Sequence, residues 1–396
     1  MKTEDVIGLE SRYLVDVYFR YPVAVARGEG ATLWDVEGRE YIDLMGGYGV
    51  AVVGHCHPKL VEAVKHQAER LMICHPSLYN EVRAQLLEKL LKVAPKGLEK
   101  AYLCSSGAEA VEAAIKMARR YTERSKIVST MGGFHGKTLG ALSVTWNPRY
   151  RRPFQPLLLK NVEFVPYGNL ERAEKAVDED TMAFIVEPIQ GESGVKLPPD
   201  DYLRGLRELC DSKGALLIVD EIQTGLGRTG AMWACQHWGV EPDIMCVAKG
   251  LAGGIPMGAT LAKDEVARSL RRGDHTSTFG GNPVACAAAS AVLDIIVEED
   301  LPGRARRLGK VFGEGLERLK QKHRCVREVR GLGLMRAAEL RFDVKDILMK
   351  SLERGLITLY SGRNILRFLP PLVIEEHQIL KALEILDEVL DELDRA

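Results

Sequence analysis

The chain has 396 residues, a length that accommodates two or three domains with a sizeable hydrophobic core. Its 54 lysine and arginine residues nearly balance 55 aspartate and glutamate residues, and a net charge of −1 argues against a nucleic-acid-binding surface or a polybasic membrane tether. The longest apolar run, residues 44–54, is interrupted by glycine and is shorter than the ~20 residues of a membrane helix. We therefore expect binding to neither nucleic acid nor membrane.

The cysteines and the N-terminus together predict a soluble, cytoplasmic protein. Eight cysteines are scattered without a C-x-x-C pair, which is typical of reduced thiols in cytosolic proteins. The acidic residues Glu4, Asp5 and Glu10 do not fit the basic-then-apolar plan of a signal peptide.

The first 60 residues contain a predicted hairpin and a candidate metal cluster. Two alternating runs within residues 32–44 meet at Glu37-Gly38, and the glycine-rich segment Gly46-Gly-Tyr-Gly49 follows. His55-Cys56-His57 places its potential ligands too close together for one tetrahedral site, and no second cluster follows. We therefore predict a loop before a helix here, and no metal.

Strands and helices then alternate. Residues 59–72 and 81–93 have helical periodicity, and residues 100–104 form a short predicted strand. Ser105-Ser106-Gly107-Ala108-Glu109 opens a helix whose apolar stripe runs from Ala110 to Tyr121. A strand followed by serine, glycine and a helix directs free N–H groups at an anion, so this segment predicts either a phosphate site or a plain helix cap.

Two nucleotide-binding patterns in the middle of the chain are incomplete. Gly136-Lys137-Thr138 resembles the end of a P-loop, but residue 131 is methionine where that pattern needs glycine. Gly225-Leu-Gly-Arg-Thr-Gly230 fits a dinucleotide fingerprint in spacing, although no amphipathic helix follows it directly. We reject both interpretations.

Two charged residues stand at the ends of predicted buried strands. The apolar run 215–219 leads into Asp220, and the strand 243–248 leads into Lys249. A buried carboxylate needs a cationic partner, and a buried lysine of lowered pKa can condense with an aldehyde. Together with the phosphate-binding helix start and the aromatic Phe134, these residues meet the requirements of pyridoxal phosphate.

The predicted elements of the last third of the chain differ from those before them. A charged helix over 304–323 precedes alternating strands over 326–340, a hairpin through Ser361-Gly-Arg363 and an apolar-striped final helix. We predict an N-terminal segment over 1–55 that packs with the small domain, a large cofactor-binding α/β domain over 56–295 and a small α+β domain over 296–396.

Six motifs, in order along the chain, resemble those of the class III (subgroup II) aminotransferases. They are Cys104-Ser-Ser-Gly-Ala-Glu-Ala110, Gly133-Phe-His-Gly136, Glu187-Pro-Ile-Gln-Gly-Glu192, Val219-Asp-Glu-Ile-Gln-Thr-Gly225, Ala248-Lys-Gly250 and Ser277-Thr-Phe-Gly-Gly-Asn-Pro283. Within the class, the chain looks most like acetylornithine aminotransferases and their relatives that act on lysine carried by a LysW-type protein. The resemblance implies fold type I, as in aspartate aminotransferase, with a large mixed-sheet domain, pyridoxal 5′-phosphate and a homodimer.

The same resemblance assigns the cofactor-binding residues. Lys249 would hold the cofactor and move the proton, Asp220 would pair with the pyridinium, and Gln223 would bond the ring hydroxyl. Phe134 would stack on the ring with His135 beside it. The remaining cofactor contacts are Ser106, Gly107 and Ala108 on the phosphate, Glu187, and Thr278 reaching the cofactor phosphate of the partner subunit.

The substrate-binding residues also follow from the resemblance. Arg367 would clamp the α-carboxylate of glutamate or 2-oxoglutarate, a task suited to a guanidinium. Glu192 would neutralise that arginine while the ω-amino donor is bound, and Tyr18, Tyr48 and Ser277 would complete the substrate site. The family commonly has arginine where this chain has Lys137, which keeps the charge and loses the planar fork.

The sequence leaves the amino donor open. An N-acylated ornithine, a carrier-bound lysine and free ornithine remain candidates, and Tyr18 and Tyr48 would suit free ornithine. A racemase or a binding module is the alternative from another class, and the pair of Arg367 and Glu192 argues against it. An acidic carrier protein would need a basic rim, for which the candidates are Arg20, Arg27, Arg149, Arg151 and Arg152. A solvated arginine face is the simpler interpretation.

Overall fold

The computed structural model describes residues 1–394 of the chain. The strands are β1 (Val25–Glu29), β2 (Thr32–Asp35), β3 (Glu40–Asp43), β4 (Lys100–Cys104), β5 (Lys126–Thr130), β6 (Val162–Val165), β7 (Thr181–Val186), β8 (Leu216–Asp220), β9 (Ile244–Val247), β10 (Gly258–Ala262), β11 (Val326–Leu332), β12 (Met335–Leu340), β13 (Leu356–Ile357), β14 (Leu359–Ser361) and β15 (Ile365–Phe368).

The helices are α1 (Thr3–Tyr13), the single turn α2 (Gly46–Gly49), α3 (Pro58–Arg70), α4 (Glu81–Val93), α5 (Gly107–Thr122), α6 (Leu139–Val144), α7 (Pro148–Arg151), α8 (Leu170–Ala176), α9 (Tyr202–Lys213), α10 (Asp264–Ala267), α11 (Pro283–Glu298), α12 (Leu301–Lys322), α13 (Lys345–Glu353) and α14 (Glu376–Asp394). Short 3-10 helices span Arg152–Leu157, Ala234–Trp238 and Lys249–Ala252. No helix among the described residues is long and apolar enough to cross a membrane.

A seven-stranded sheet forms the centre of the fold, in the order β4-β10-β9-β8-β7-β5-β6. The strands from β9 to β6 are parallel, while β10 runs antiparallel to both β4 and β9. Every residue of β7, β8 and β9 is buried, which explains their continuous apolar sequences. Because these strands are parallel, their charged carboxyl ends meet at one edge of the sheet.

The antiparallel strand β10 was not predicted from the sequence. Its sequence, Gly-Ala-Thr-Leu-Ala, is poor in the β-branched and aromatic residues that mark strands. Its small side chains are all buried, and the Thr260 hydroxyl donates a 2.7 Å hydrogen bond to the Ala110 carbonyl of α5. Tertiary packing against α5 therefore explains the extended conformation that local propensity does not indicate.

Two four-stranded sheets complete the fold. The first has the order β1-β2-β3-β13, and the second has the order β11-β12-β15-β14. In the first sheet the short strand β13 runs parallel to β3, with Leu356 opposite Ile42, so residues from both ends of the chain share this sheet. The predicted domain boundaries at residues 55 and 295 stay predictions.

Candidate active site

A cavity of about 350 Å³ lies where the carboxyl ends of β7, β8 and β9 meet the start of α5. Open parallel sheets place ligands at this edge because the connecting loops and helix N-termini converge there. The lining residues are Val50, Ser105, Ser106, Gly107, Ala108, Phe134, His135, Gly136, Glu187, Glu192, Asp220, Ile222, Gln223, Ala248, Lys249, Gly254, Ile255, Pro256 and Met257. The structure thus gathers ten of the predicted site residues around one cavity.

Asp220, the last residue of β8, is only 3% exposed and is fixed in orientation. Its Oδ1 accepts a 3.0 Å hydrogen bond from the Ile222 N–H, and its Oδ2 lies 2.7 Å from His135 Nδ1. The other ring nitrogen of His135, Nε2, is buried and has no hydrogen-bond partner among residues 1–394. The pair therefore presents an anchored carboxylate at the base of the cavity.

The neighbouring carboxylate of Glu221 has a different task. It accepts a 2.7 Å hydrogen bond from the Cys235 N–H and another from the Thr224 hydroxyl, and it is 1% exposed. Burial raises the pKa of Glu221, against these hydrogen bonds. Glu221 therefore holds the loop after β8 and does not face the cavity ligand.

Lys249 directly follows Ala248 beyond β9 and opens a 3-10 turn. Its φ of 45° lies in the left-handed region, where a residue with a β-carbon is strained. Burial lowers the pKa of the Lys249 amine, while the negative charge of Glu192 opposes that shift. Gly250 allows the close approach of Val52, because a β-carbon there would lie 2.6 Å from its Cγ1. The backbone thus holds at the cavity wall a partly buried amine whose pKa is lower than that of a free lysine.

Glu187 connects the two loops on the Phe134 side of the cavity. One carboxylate oxygen accepts a 2.8 Å hydrogen bond from the Phe134 N–H, and the other accepts a 3.0 Å hydrogen bond from the Gly191 N–H. Burial, and secondarily the charge of Asp220, raises the pKa of Glu187 to about 7. Both carboxylate oxygens of Glu187 are thus used to position the loops. The predicted contact of Glu187 with a cofactor stays a prediction.

Gln223 packs against the backbone of Gly191. A β-carbon at Gly191 would overlap the Gln223 side-chain oxygen, so this approach requires glycine. The Gln223 Oε1 atom is buried and has no hydrogen-bond partner in the described part of the chain. A buried oxygen without a donor is unfavourable, and a hydroxyl of a bound ligand would satisfy it.

Helix α5 begins at the cavity with Ser106 as its N-cap. The Ser106 hydroxyl accepts a 3.2 Å hydrogen bond from the Glu109 N–H, as in a plain helix cap. The N–H groups of Gly107 and Ala108, in the first turn of α5, have no partner within the helix and lie at its positive end. The Ser106 cap therefore leaves the Gly107 and Ala108 N–H groups directed toward the cavity side, so a phosphate site here stays a prediction compatible with the cap.

Arg367 on β15 and Glu192 form an ion pair beside the cavity. The Arg367 side chain is fully buried, and its Nη2 donates a 3.0 Å hydrogen bond to Glu192 Oε1. The Nε and Nη1 groups of Arg367 have no partner in residues 1–394, and its Cζ lies 6.0 Å from the Tyr48 ring centroid. Burial raises the pKa of Glu192, but the charges of Arg367 and Lys249 outweigh burial and lower it overall.

Five predicted residues lie outside the cavity lining, namely Arg367 and Tyr48 beside it and Tyr18, Ser277 and Thr278 on exposed segments. Tyr18 is 66% exposed, and Thr278 is exposed on the loop before α11. The Ser277 hydroxyl accepts a 3.0 Å hydrogen bond from the Gly280 N–H, a contact within that same loop. The chain therefore does not bring Tyr18, Ser277 or Thr278 into the lining of the cavity.

The candidate basic rim is only partly free for a partner. Arg27 stacks on Trp34 at 3.7 Å, and Arg151 stacks on the ring of Phe164 at 4.5 Å. Arg20 pairs with Glu10, whereas Arg149 and Arg152 are exposed. Lys137 Nζ lies 4.5 Å from the centroid of the Tyr150 ring, and that ring packs edge-on to Phe134.

The sequence analysis did not identify several apolar residues of the lining. Ile222 is the most important of them, because its side chain packs against Gly107 at the start of α5. Its position between Asp220 and Gln223 was the available clue. The other apolar lining residues that were missed are Val50, Ala248, Ile255, Pro256 and Met257.

The arrangement fits pyridoxal phosphate. It places a partly buried amine, a buried carboxylate and an aromatic ring around one cavity, and these suit the cofactor's aldehyde, protonated ring nitrogen and planar ring. An amide oxygen without a hydrogen-bond donor suits the ring hydroxyl, and the N-terminus of α5 suits the phosphate.

Comparisons with known proteins agree with this chemistry. The acetylornithine aminotransferase of Methanopyrus kandleri is 50% identical over 388 residues, covering 98% of this chain and 99% of that protein. The [LysW]-aminoadipate semialdehyde transaminase of Deinococcus radiodurans is 44% identical over 390 residues, covering 98% of this chain and 90% of that protein. The ornithine aminotransferase structure from Toxoplasma gondii ME49 has a TM-score of 0.96 at 35% identity, covering 100% of this chain and 96% of that one.

These comparisons also confirm the predicted fold and cofactor. The similarity to the Toxoplasma structure extends over the whole chain, as expected for fold type I with its large mixed sheet. A second structure of that enzyme is described as having partial occupancy of PLP at the active site. The family model for class-III aminotransferases matches residues 16–390. The chain therefore belongs to the class-III aminotransferases, enzymes that use pyridoxal 5′-phosphate.

Proposed function

We propose that this protein is an ω-aminotransferase that moves the terminal amino group of an N-acylated ornithine, or of a lysine on a carrier protein, to 2-oxoglutarate. The products are a semialdehyde and glutamate, and the reverse direction would serve arginine or lysine biosynthesis. The observation that carries this proposal is the ion pair of the buried Arg367 with Glu192 beside the cavity that contains Lys249. The names of the relatives, acetylornithine aminotransferase and [LysW]-aminoadipate semialdehyde transaminase, support the donor classes.

Lys249 would serve both as the attachment point and as the proton carrier. When bound, pyridoxal phosphate supplies an aldehyde for the amino group and a ring that accepts electron density. The lowered pKa of the Lys249 amine favours the neutral form that attaches to an aldehyde and later accepts a proton from the reacting carbon. Lys249 is partly buried in the cavity wall, which reduces the access of water to that proton transfer.

The remaining cofactor residues would hold the ring in place. Asp220, oriented by His135 and the Ile222 N–H, would keep the ring nitrogen protonated. Gln223 Oε1 would accept the hydrogen bond of the ring hydroxyl, and Phe134 would cover the ring face. The first turn of α5 would bind the phosphate.

Arg367 and Glu192 would let one site accept two different substrates. A dicarboxylate brings its own negative charge, would bind the free Nε and Nη1 groups of Arg367, and would displace Glu192 from Nη2. An ω-amino donor brings no carboxylate to that position, so Glu192 would keep the guanidinium neutralised. A racemase or a binding module has no use for such an exchange.

We also infer a homodimer with shared sites. Arg83 ties the exposed segment around Leu78 to the loop that carries Thr278, by donating to the carbonyls of Cys74, Leu78 and Gly281. This connected surface exposes the large apolar side chains of Leu71, Met72, Ile73, Leu78, Tyr79 and Phe279. Exposed apolar patches of this kind mark protein interfaces, and a second subunit would place Thr278 at a neighbouring cofactor.

Free ornithine is the second candidate donor. Tyr48 lies beside Arg367 with its hydroxyl in the same charged environment as Glu192, so it could contact a free α-amino group. The solved structures include ornithine aminotransferases at 35% identity, among them the Toxoplasma enzyme.

A donor panel tests the proposal. Acetylornithine, ornithine, acetyllysine and carrier-bound lysine are each mixed with the cofactor-loaded enzyme, first alone and then with 2-oxoglutarate. We expect the N-acylated or carrier-bound donor to bleach the visible cofactor band and to yield glutamate on addition of 2-oxoglutarate. Faster turnover of free ornithine would establish the second candidate, and an unchanged band with every donor would contradict both. Lys249→Ala is the matched inactive control.

A further inference from the structure

Asp43, at the end of β3, holds the beginning of the turn that carries Tyr48. Its side chain is fully buried, and its Oδ1 accepts hydrogen bonds from the N–H groups of Met45 at 2.8 Å and Gly46 at 2.9 Å. The four residues Gly46–Gly49 have φ values of 54°, 59°, 60° and 84°. Tyr48 adopts this left-handed conformation despite its β-carbon, so the turn requires support from outside.

His55 provides part of that support. Its Nε2 donates a 2.7 Å hydrogen bond to Asp43 Oδ2. The His55 backbone exchanges hydrogen bonds with Gly30, of 2.8 and 3.0 Å, and the ring lies against Gly28, where a β-carbon would approach within 2.9 Å. His55 is therefore fixed to the segment between β1 and β2, and it holds the second oxygen of Asp43.

Arg228 supplies a positive charge that interacts with Asp43. Its fully buried guanidinium donates hydrogen bonds to the carbonyls of Leu334 and Pro370. Burial lowers the pKa of Arg228, and the charge of Asp43 opposes that shift. The Asp43 carboxylate therefore accepts a hydrogen bond from His55 and is attracted by the charge of Arg228. A neutral side chain would not experience this attraction.

The turn that Asp43 holds contacts the chain next to Arg367. The Leu369 N–H donates a 2.8 Å hydrogen bond to the Leu44 carbonyl, and a β-carbon at Gly46 would overlap the Leu369 carbonyl. Two residues before Leu369, the Arg367 guanidinium lies 6.0 Å from the Tyr48 ring. A shift of the turn would therefore move Tyr48 relative to Arg367.

We infer that Asp43 and His55 are positioning residues that fix the Tyr48 turn against Arg367 and thereby set the affinity of the site for substrate carboxylates. Neither side chain lines the cavity that contains Lys249, so both act through the turn. This inference rests on the proposed role of Arg367 as the carboxylate clamp. It also gives a function to His55, the first histidine of the His55-Cys56-His57 cluster. That cluster is not part of any group of three or more possible metal ligands in the described residues.

The test measures binding of glutarate, an unreactive dicarboxylate, to the cofactor-loaded enzyme through the visible absorption band. In His55→Ala the dissociation constant for glutarate rises about tenfold, as expected for loss of a hydrogen bond to a buried charge. His55→Gln restores affinity to within about threefold, because its amide reaches the former position of Nε2. His66→Ala, an exposed histidine on α3, is the matched control and leaves affinity unchanged.

A double-mutant cycle separates positioning from general destabilisation. If His55 acts through the turn, the His55→Ala effect on glutarate affinity falls below about threefold in a Tyr48→Phe background. Fully additive effects of the two substitutions, or a His55→Gln variant as weak as His55→Ala, would overturn the inference. Asp43→Asn provides a second variant, because it keeps an oxygen for the Met45 and Gly46 N–H groups. We expect its dissociation constant for glutarate to rise about threefold or more.

Arg367→Ala distinguishes this inference from the proposed function. Weak glutarate binding in Arg367→Ala, with unchanged binding in the His55 and Asp43 variants, would overturn the positioning role and leave the clamp. Unchanged glutarate binding in Arg367→Ala, with weak binding in the His55 variant, would contradict the proposed role of Arg367 as the carboxylate clamp. It would instead indicate that the Tyr48 turn binds the carboxylate. The cofactor band of unliganded enzyme stays unchanged in the His55 and Asp43 variants, since neither residue lines the cavity.

Discussion

The carboxylate of Glu192 accepts one 3.0 Å hydrogen bond from Arg367 Nη2, which leaves two further groups of that guanidinium unpaired in residues 1–394. The Glu192 backbone is itself fixed, because its carbonyl accepts a hydrogen bond from the Ser361 hydroxyl on β14. Movement of the side chain alone can therefore break the pair. A substrate carboxylate then meets an arginine that already lacks hydrogen-bond partners, which favours binding.

The first prediction concerns the two half-reactions in Glu192→Gln. The KM for an N-acylated donor rises about tenfold, equivalent to ~1.4 kcal/mol, because the bound donor then leaves Arg367 without a counter-charge. The KM for 2-oxoglutarate stays the same or falls, since no carboxylate competes for the guanidinium. Separate KM measurements for donor and acceptor check this, with the exposed Glu179→Gln as control. Equal changes for both substrates would contradict the exchange.

The second prediction is a large loss of activity in Asp220→Asn with retention of the cofactor. Asparagine can still accept the Ile222 N–H bond and keep the local backbone, but it provides no negative charge opposite the ring nitrogen. We expect kcat to fall by roughly two to three orders of magnitude. Cofactor content from absorbance, measured alongside kcat, checks this. Full activity in the cofactor-loaded variant would refute the assignment of Asp220.

The sequence was sufficient to predict the chemistry at the sheet edge. The fully apolar strand β8 ends directly at Asp220, and β9 leads within two residues to Lys249, so local patterns indicated both positions. The start of α5 was equally clear, because serine and glycine mark helix starts that bind anions. Such features depend only on neighbours in the chain.

The substrate side could not be derived from local patterns. Tyr48 meets Arg367 because Asp43 fixes a left-handed turn and because Leu44 bonds Leu369, contacts between opposite ends of the chain. The glycines of residues 46–49 indicated a turn but not its neighbours. Tyr18 and Thr278 lie outside the cavity lining, so the roles that the resemblance implies for them stay predictions.

The third prediction follows from the contact between Gly191 and Gln223. The β-carbon of Gly191→Ala would overlap the Gln223 side-chain oxygen and displace it from the cavity wall. We expect the dissociation constant for pyridoxal phosphate to rise about tenfold, since the ring hydroxyl would lose its acceptor. Gly8→Ala is the control, because a β-carbon there meets nothing within 4 Å. Equal cofactor affinity in the two variants would contradict the role of Gln223.

The fourth prediction is a pH dependence of stability from Glu187. Its pKa is raised by burial from an ordinary value of 4.5 to about 7, so between these values the folded protein binds a proton that the unfolded chain lacks. Stability therefore falls as pH rises through this window, by on the order of 3 kcal/mol for this group. Glu187→Gln removes the titrating carboxyl and should make the fall of stability with rising pH less steep.

Urea unfolding at pH 5 and pH 8 measures this difference. We expect the Glu187→Gln variant to lose less stability than the unmodified protein between these pH values. Its stability at pH 5 is lower, because the NH2 group of glutamine accepts no hydrogen bond, whereas the hydroxyl oxygen of the protonated acid can still accept one from the Phe134 or Gly191 N–H group. An unaltered pH slope would show that Glu187 does not titrate in this range.

The fifth prediction concerns Lys137, which takes the place of an arginine common in the family. Its amine lies 4.5 Å from the Tyr150 ring centroid, and its charge helps to lower the pKa of Glu192. A cation over an aromatic ring contributes about 0.5–2 kcal/mol, and arginine stacks at least as well. We expect Lys137→Arg to change the donor KM by less than about threefold, and Lys137→Gln to raise it about tenfold.

We therefore expect the charge of Lys137, and not its shape, to determine the donor affinity. Measured KM values for acetylornithine in both variants check this, with the exposed Lys160→Gln as the matched loss of a surface charge. If Lys137 bound a donor carboxylate through a single hydrogen bond, the arginine variant would bind more tightly through two. A KM that falls tenfold in Lys137→Arg would therefore replace the point-charge role with direct carboxylate binding.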